Sequence, residues 1–281
     1  MPTLDLLFEA LAESPQSHAP NTAFYRLCKA TARAAIEPLF SSQERISRKF
    51  GPFGELSLPY TKMGAIDSLD LFGLDELIIF AFYHANRKRY RRVLDIGANL
   101  GLHSIIMARS GFSVKAFEPD PWHYGLLVEN LAANKATLVE PLAAAVSTRD
   151  GHAEFVRVLG NTTGSHLAGS KDSYGDRECF TVPTCAVQPL FVWADFAKID
   201  AEGHEKELLL TTTRETMQEL DIMVEIGNAA NARAVFEHFQ SIGIGMFPQK
   251  IGWNRAASVS GLPTSHREGS LFITAKLAMP W

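Results

Sequence analysis

From Arg91 onward, the chain alternates short apolar runs with amphipathic stretches. "RRVLDIG" predicts a strand, "LHSIIMARSG" a helix ending at Gly111, and "SVKAFEPD" the next strand. "PWHYGLLVENLAANK" reads as a helix with Pro121 in its first turn, where a missing N–H costs little. "ATLVEPLAAAVS" reads as a third strand. The alternation then breaks. "GHAEFVRVL" and "CFTVPTCAV" read as paired strands around the polar loop "GNTTGSHLAGSKDSYGDRE", and loops of that length in compact domains are usually functional or mobile. Strand "FAKIDAEG", helix "HEKELLLTTTRETMQEL", strand "DIMVEIG" and helix "ANARAVFEHFQSIG" follow, with closing strands near "IGMFPQKIG" and "SLFITA". This β-α-β repetition implies a mainly parallel α/β sheet covered on both faces, ending in an antiparallel edge hairpin.

The first 90 residues differ. Two helices, roughly Leu4–Glu13 and Asn21–Phe40, are split by "SPQSHAP", and a short hairpin "GPFGELSLPY" leads to an apolar helix through "LDELIIFAFYHA". This stretch holds no chemical motif and is expected to cap the core or to pair subunits as a homodimer. The expected division is 1–90 as a helical extension and 91–281 as the ligand-binding domain.

Composition narrows the function classes. An apolar fraction of 46% with 21% charged residues predicts a sizeable buried core. The net charge of −4 argues against nucleic-acid binding through a general basic surface, and the run "RKRYRR" is expected to complement a helix end. Three cysteines, Cys28, Cys179 and Cys185, show no metal spacing and suit a reduced, cytoplasmic protein. Cys179 and Cys185 could meet across a hairpin, but unpaired thiols are the expectation. The start lacks a basic signal region and no apolar run reaches bilayer length, so no membrane partner is expected. "NTT" at Asn161 matches a glycosylation acceptor, taken as chance.

The chemistry concentrates at "VLDIGANLGLHS", a strand, a glycine turn and a helix. A dinucleotide fingerprint needs G-x-G-x-x-G, but Asn99 replaces the middle glycine and Leu102 the last. No Lys-Ser/Thr pair follows, which excludes a P-loop. S-adenosylmethionine, which carries no phosphate, fits such a turn. Asp95, Gly97, Asn99 and Gly101 would lie beside it, with Asp95 facing its ammonium. Glu118, 21 positions after Gly97, stands where a ribose-hydroxyl acceptor belongs.

"VLDIGANLG", "FEPDP", "KIDAEGHE" and "IMVEIG", in that order, resemble the FkbM-type family of S-adenosylmethionine-dependent methyltransferases over roughly Arg91 to Ala275. The resemblance implies a Rossmann-like seven-stranded core and methyl transfer, usually to a hydroxyl on a sugar, polyketide or similar natural product. It puts Asp95, Gly97, Asn99 and Gly101 on the cofactor loop and Glu118 on the ribose contact. "LGNTTGSHL" is similar to the family's Asn/Gly/Ser-bearing segment at Asn161 and Ser165. One departure is Val187-Gln188, where many members have Leu-Asp before the fourth core strand.

Methyl transfer to oxygen requires alignment and a destination for the hydroxyl proton. "KIDAEGHE" supplies Asp200 at a strand end, beside the cofactor loop, as first choice for an active-site acid, with Lys198 as a pairing partner. His204 is the imidazole of that motif and a candidate base, against a capping or solvent-facing reading. Glu225 ends the next strand and is expected in the same cleft, or in a structural ion pair. Glu202 and Glu205 also favour a helix N-terminus. Asp200, Glu202 and Glu225 are oxygen ligands by type, but their spacing specifies no metal and none is expected. His103, His123 and His166 lie near site loops without ligand spacing, and His166 and Tyr174 are candidates to touch substrate. The reading is an O-methyltransferase acting on a hydroxylated small molecule. The alternatives are amine methylation, disfavoured because "KIDAEG" replaces an Asn/Asp-Pro-Pro-Tyr motif, and a non-catalytic cofactor-binding subunit.

Overall fold

The computed structural model describes residues 3–170 and 175–281. Helices α1 (Thr3–Glu13) and α2 (Ala23–Phe40) are followed by two-residue strands β1 (Arg48–Lys49) and β2 (Glu55–Leu56), which pair antiparallel, and by α3 (Leu74–Ala85). Thr22 caps α2 by accepting a hydrogen bond from the Tyr25 N–H at 3.1 Å. Next come β3 (Arg92–Ile96), α4 (Leu102–Arg109), β4 (Ser113–Phe117), α5 (Pro121–Ala133) and β5 (Val139–Leu142). Strands β6 (Ala145–Ser147), β7 (Gly151–Val158), β8 (His166–Leu167) and β9 (Arg177–Ala186) form a separate four-stranded sheet in the order β6-β9-β7-β8. The chain closes with α6 (Val187–Trp193), β10 (Phe196–Ile199), α7 (Glu205–Leu209), α8 (Thr216–Glu219), β11 (Asp221–Val224), α9 (Ala229–Ser241), β12 (Gly245–Pro248) and β13 (Leu271–Thr274).

The main sheet has seven strands in the order β12-β13-β11-β10-β3-β4-β5. Neighbours β5, β4, β3, β10 and β11 run parallel, and β13 runs antiparallel to both β11 and β12. Strand order reverses between β3 and β10, which opens a crevice at their carboxyl ends.

Both faces of the sheet are buried. Val93, Phe196 and Phe272 face one side, where they join Leu4, Phe8, Ile36, Phe50 and Phe80 in one core. Phe82 on α3 lies 5.7 Å from Phe196 and 5.4 Å from Phe272, ring centre to ring centre. The first 90 residues therefore share a core with the sheet. Leu94, Ala197, Ile222 and Ile273 face the other side, against Leu208, Val235 and Phe239.

Several elements depart from the sequence pattern. "ATLVEPLAAAVS" divides into β5 and β6 because a turn, Ala144 N–H to Leu142 O at 2.9 Å, carries the chain to the second sheet. "HEKELLLTTTRETMQEL" divides into α7 and α8. The hydroxyls of Thr211 and Thr212 bond back to the Leu208 and Leu209 carbonyls at 2.7 Å each and compete with the helix ladder. Cys179 and Cys185 both lie on β9 rather than across a hairpin, and both are free thiols. Among the described residues no helix is long and apolar enough to cross a membrane.

His18 ties the amino-terminal helices to the carboxyl-terminal third. It is fully buried, pairs through Nε2 with the Leu11 carbonyl at 2.9 Å, and accepts the Trp253 indole N–H on Nδ1 at 3.0 Å. Burial pushes its pKa down to about 4, against a small opposing effect of the Leu11 carbonyl. The unfolded chain takes up this proton near pH 6.5 and the folded one resists it, so stability falls as pH drops from about 6.5 toward 4. Going from pH 7 to pH 5 should remove roughly 2 kcal/mol through His18 alone. Urea unfolding at both pH values should show this loss, reduced in His18→Gln.

Candidate functional site

Three strand-end turns meet at the crevice. Gly97, after β3, has φ +83°, and a Cβ placed there would lie 1.9 Å from the Asp200 carbonyl oxygen after β10. Gly101 has φ +84°, and its Cβ would meet a Leu127 methyl at 2.4 Å. Both glycines thus let the backbone approach neighbouring protein closely. Asn99 also has positive φ, at 52°. Its N–H donates to Glu118 Oε2 at 2.8 Å, while the Asp120 N–H donates to Glu118 Oε1 at 2.9 Å. Glu118 is therefore a clamp between the turns after β3 and β4. Burial raises its pKa to about 8, opposed by those two N–H donors.

A cavity of about 520 Å³ opens over these turns, within the usual range for small-molecule sites. Gly97, Asn99, Glu118, Asp200, His204 and Glu225 all line it. Asp95 and Gly101 do not. Asp95 is fully buried beneath the turn, where Oδ2 accepts the Ser104 hydroxyl at 2.5 Å and Oδ1 has no partner. The expectation of an Asp95 contact with a cofactor ammonium is corrected to a charge lying below the cavity floor.

The floor is rich in acid. Asp200 sits 3.3 Å from Lys198 Nζ; burial opposes its charge, but Lys198 holds its pKa below the usual range. Burial also opposes the charge of Lys198, yet the fields of Asp200, Asp95, Glu76 and Glu225 outweigh it and keep the ammonium protonated. Glu225 pairs with His266 at 3.1 Å. Burial and then the Asp200 charge raise Glu225 to about 7, while the Glu225 hydrogen bond raises His266 to about 9. Four acids, Glu76, Asp95, Asp200 and Glu225, thus surround Lys198, and His266 adds a second cation beside Glu225.

Other candidates resolve locally. His204 lies between the Ser147 and Ser170 hydroxyls, 3.2 Å from each, and burial lowers its pKa. Glu205 accepts the Ala201 and Gly203 N–H groups at 2.9 and 3.0 Å and organises the "DAEGHE" turn. His123 meets the Thr162 hydroxyl at 3.0 Å, and His166 lies by the Gly164 carbonyl at 3.0 Å; both line the cavity. Asn161 and Ser165 also line it while stabilising their own turn, Asn161 accepting from Thr163 Oγ1 at 2.8 Å and Ser165 donating to the Thr162 carbonyl at 2.7 Å. His103 lies below, between Glu76 and Tyr83. Tyr174 falls outside the described residues. Among the described residues no group of three or more His, Cys, Asp or Glu side chains is placed to hold a metal ion.

The sequence reading missed Glu76, Asp70 and His266. Glu76 reaches the cavity from α3, and Asp70 from the turn before it. This amino-terminal segment meets the long loop directly: Ala65 N–H donates to Gly160 O at 2.7 Å and Thr162 N–H to Met63 O at 3.0 Å. Gly64 has φ +92°, and a Cβ there would lie 2.3 Å from the Gly160 carbonyl oxygen. The one available signal for Glu76 was the acid pair Asp75-Glu76 at the start of the otherwise apolar stretch "LDELIIFAF".

By topology and cavity position the protein is a Rossmann-like α/β protein with a ligand crevice at the switch point. Known proteins similar to this chain include methyltransferases. No family model matches the chain. The hexuronic acid methyltransferase AglP of Haloferax volcanii is 28% identical over 137 residues, covering 47% of this chain and 54% of that protein. The chain thus spans about half the length of that curated relative. The structure of methyltransferase FkbM from Methylobacillus flagellatus aligns with 95% of this chain and 58% of its own, at 13% identity and a TM-score of 0.39. An S-adenosylmethionine-dependent methyltransferase from Agrobacterium tumefaciens aligns with 85% of this chain and 72% of its own, at 10% identity and a TM-score of 0.43.

The two glycines should respond differently to substitution. Gly97→Ala drives a Cβ into backbone and should cost on the order of 3 kcal/mol of stability. Gly101→Ala meets the end of a side chain that can turn, and should cost less. Denaturant midpoints of the two variants check this ordering.

Proposed function

We propose that the protein is an S-adenosylmethionine-dependent methyltransferase that methylates a hydroxyl oxygen of a sugar-type small molecule. The observation that carries this reading is the crevice at the β3/β10 switch point, with Glu118 clamping the Asn99 turn on one side and an acid-rich floor on the other. The donor set suits that cofactor. Asn99 Oδ1 is a buried acceptor without a partner beside the cavity, and the carboxylates outnumber the cations beneath it. Such a floor favours a cationic ligand over a pyrophosphate. The name of the curated relative supports a sugar-type acceptor.

When bound, S-adenosylmethionine supplies a methyl group activated by a positive sulfur. Glu118 and Asn99 would hold its ribose end, while Asp200 would receive its cationic end. Holding donor and acceptor in line can supply about 7–11 kcal/mol in favourable systems. Glu225 takes the acceptor proton. Its pKa of about 7 makes a carboxylate that is both available and basic near neutrality, with the His266 charge beside it. His204, engaged by two serines, lines the acceptor wall instead of acting as the base.

Formation of S-adenosylhomocysteine in the presence of acceptor tests the reading, since a non-catalytic subunit would bind without turnover. The kcat/KM profile should rise through about pH 7 as Glu225 loses its proton. In Glu225→Gln that limb should disappear and kcat should fall by about 10²–10⁴-fold. A retained limb would remove Glu225 from the proton step.

A further inference from the structure

The charge of the lining carries information about the acceptor as well as the cofactor. Among the described residues the cavity is lined by Asp70, Glu76, Glu118, Asp120, Asp200 and Glu225, with Glu202 beside them and no lysine or arginine. Two of these acids are already committed. Asp120 is bound by the Arg157 guanidinium at 2.6 and 2.7 Å, and Glu118 clamps the cofactor turn. Asp200 and Glu225 are offset by Lys198 and His266. Asp70 and Glu76 remain as additional acids on the wall supplied by the amino-terminal segment.

Glu76 is held in place. His103 Nε2 lies 2.8 Å from Glu76 Oε2, and His103 Nδ1 lies 3.0 Å from the Tyr83 hydroxyl. Burial, with Lys198 adding, pushes His103 down to about 3, so the ring is neutral. With the ring proton on Nε2, His103 donates to Glu76 while Nδ1 accepts from Tyr83. Glu76 thus lines the cavity as a fixed carboxyl; burial raises its pKa to about 7 against the opposing field of Lys198, so it is an anionic acceptor above that pH. Asp70 is fixed likewise, its Oδ2 accepting the Asp67 N–H at 3.0 Å. Fixed carboxylates are good acceptors for the O–H groups of a polyol, and they repel a carboxylate or phosphate brought within a few ångströms.

We infer that the acceptor is an uncharged polyhydroxylated molecule, such as a neutral sugar, and that Glu76 and Asp70 exclude uronates and sugar phosphates. The acceptor role rests on the methyltransferase reading; the charge selectivity is a property of the cavity itself.

The test uses matched methyl glycosides and methyl glycosiduronates of the gluco, galacto and manno series. Binding is read by saturation-transfer NMR on the full chain, alone and loaded with S-adenosylhomocysteine. At least one neutral glycoside should bind, and each uronate should bind about tenfold or more weakly than its neutral counterpart. Glu76→Gln should narrow that ratio at least about threefold by weakening the repulsion. Asp70→Asn, on an exposed turn, provides the same comparison should Glu76→Gln fail to fold. A uronate that binds as well as its neutral partner, or a neutral series in which nothing binds, overturns the inference. Loss of S-adenosylhomocysteine binding with sugar selectivity intact would instead overturn the methyltransferase reading.

Discussion

The contact between Gly97 and the Asp200 carbonyl is the constraint on which the site depends. Adjacent parallel strands normally diverge into their loops, but here the turns after β3 and β10 touch backbone to backbone. No side chain fits between them. The contact brings the "DIGANLG" and "KIDAEGHE" motifs together across more than 100 residues of chain. Glu118 adds the third turn by accepting an N–H from each of the two segments it bridges. Asn99, Glu118 and Asp200 therefore share one crevice because three strand ends are locked to one another.

The second organising feature is an excess of buried negative charge. A buried carboxylate is stabilised by a cation or by donors, and isolated charges are costly to desolvate. Lys198 lies among four carboxylates, and burial first, then the neighbouring acids, raise the pKa values of Glu76 and Glu225 against the opposing field of Lys198. A cationic ligand relieves that imbalance. In the proposed reaction, the same imbalance that would attract a sulfonium and an ammonium would repel an anionic acceptor, so donor and acceptor preference would arise from one electrostatic field.

Local patterns in the sequence carried the fold well. The alternation of apolar runs located β3, β4, β10, β11 and β13, because strands buried on both faces read as continuous apolar runs. Glu118, Asp200 and Glu225 were legible as acids at strand ends. What local pattern could not convey was which backbone comes close to which. The pattern of glycines at positions 97 and 101 did not show that Gly97 packs on the Asp200 carbonyl or Gly101 on Leu127. Asp95 looked like a cavity residue, but strand alternation turns it toward Ser104 and the buried layer. Glu76 and His266 reach the cavity from segments far along the chain with no motif of their own. The turn at Ala144 was hidden in an unbroken apolar run, and the Thr211–Thr213 break in an apparently continuous helix.

Calorimetric titration of the full chain with S-adenosylmethionine, for the wild type and for Glu118→Ala, tests the central claim most directly. The account predicts saturable one-to-one binding to the wild type and its loss in a Glu118→Ala protein that is still folded by circular dichroism. Absence of binding to the folded wild type, or undiminished binding to Glu118→Ala, would contradict it.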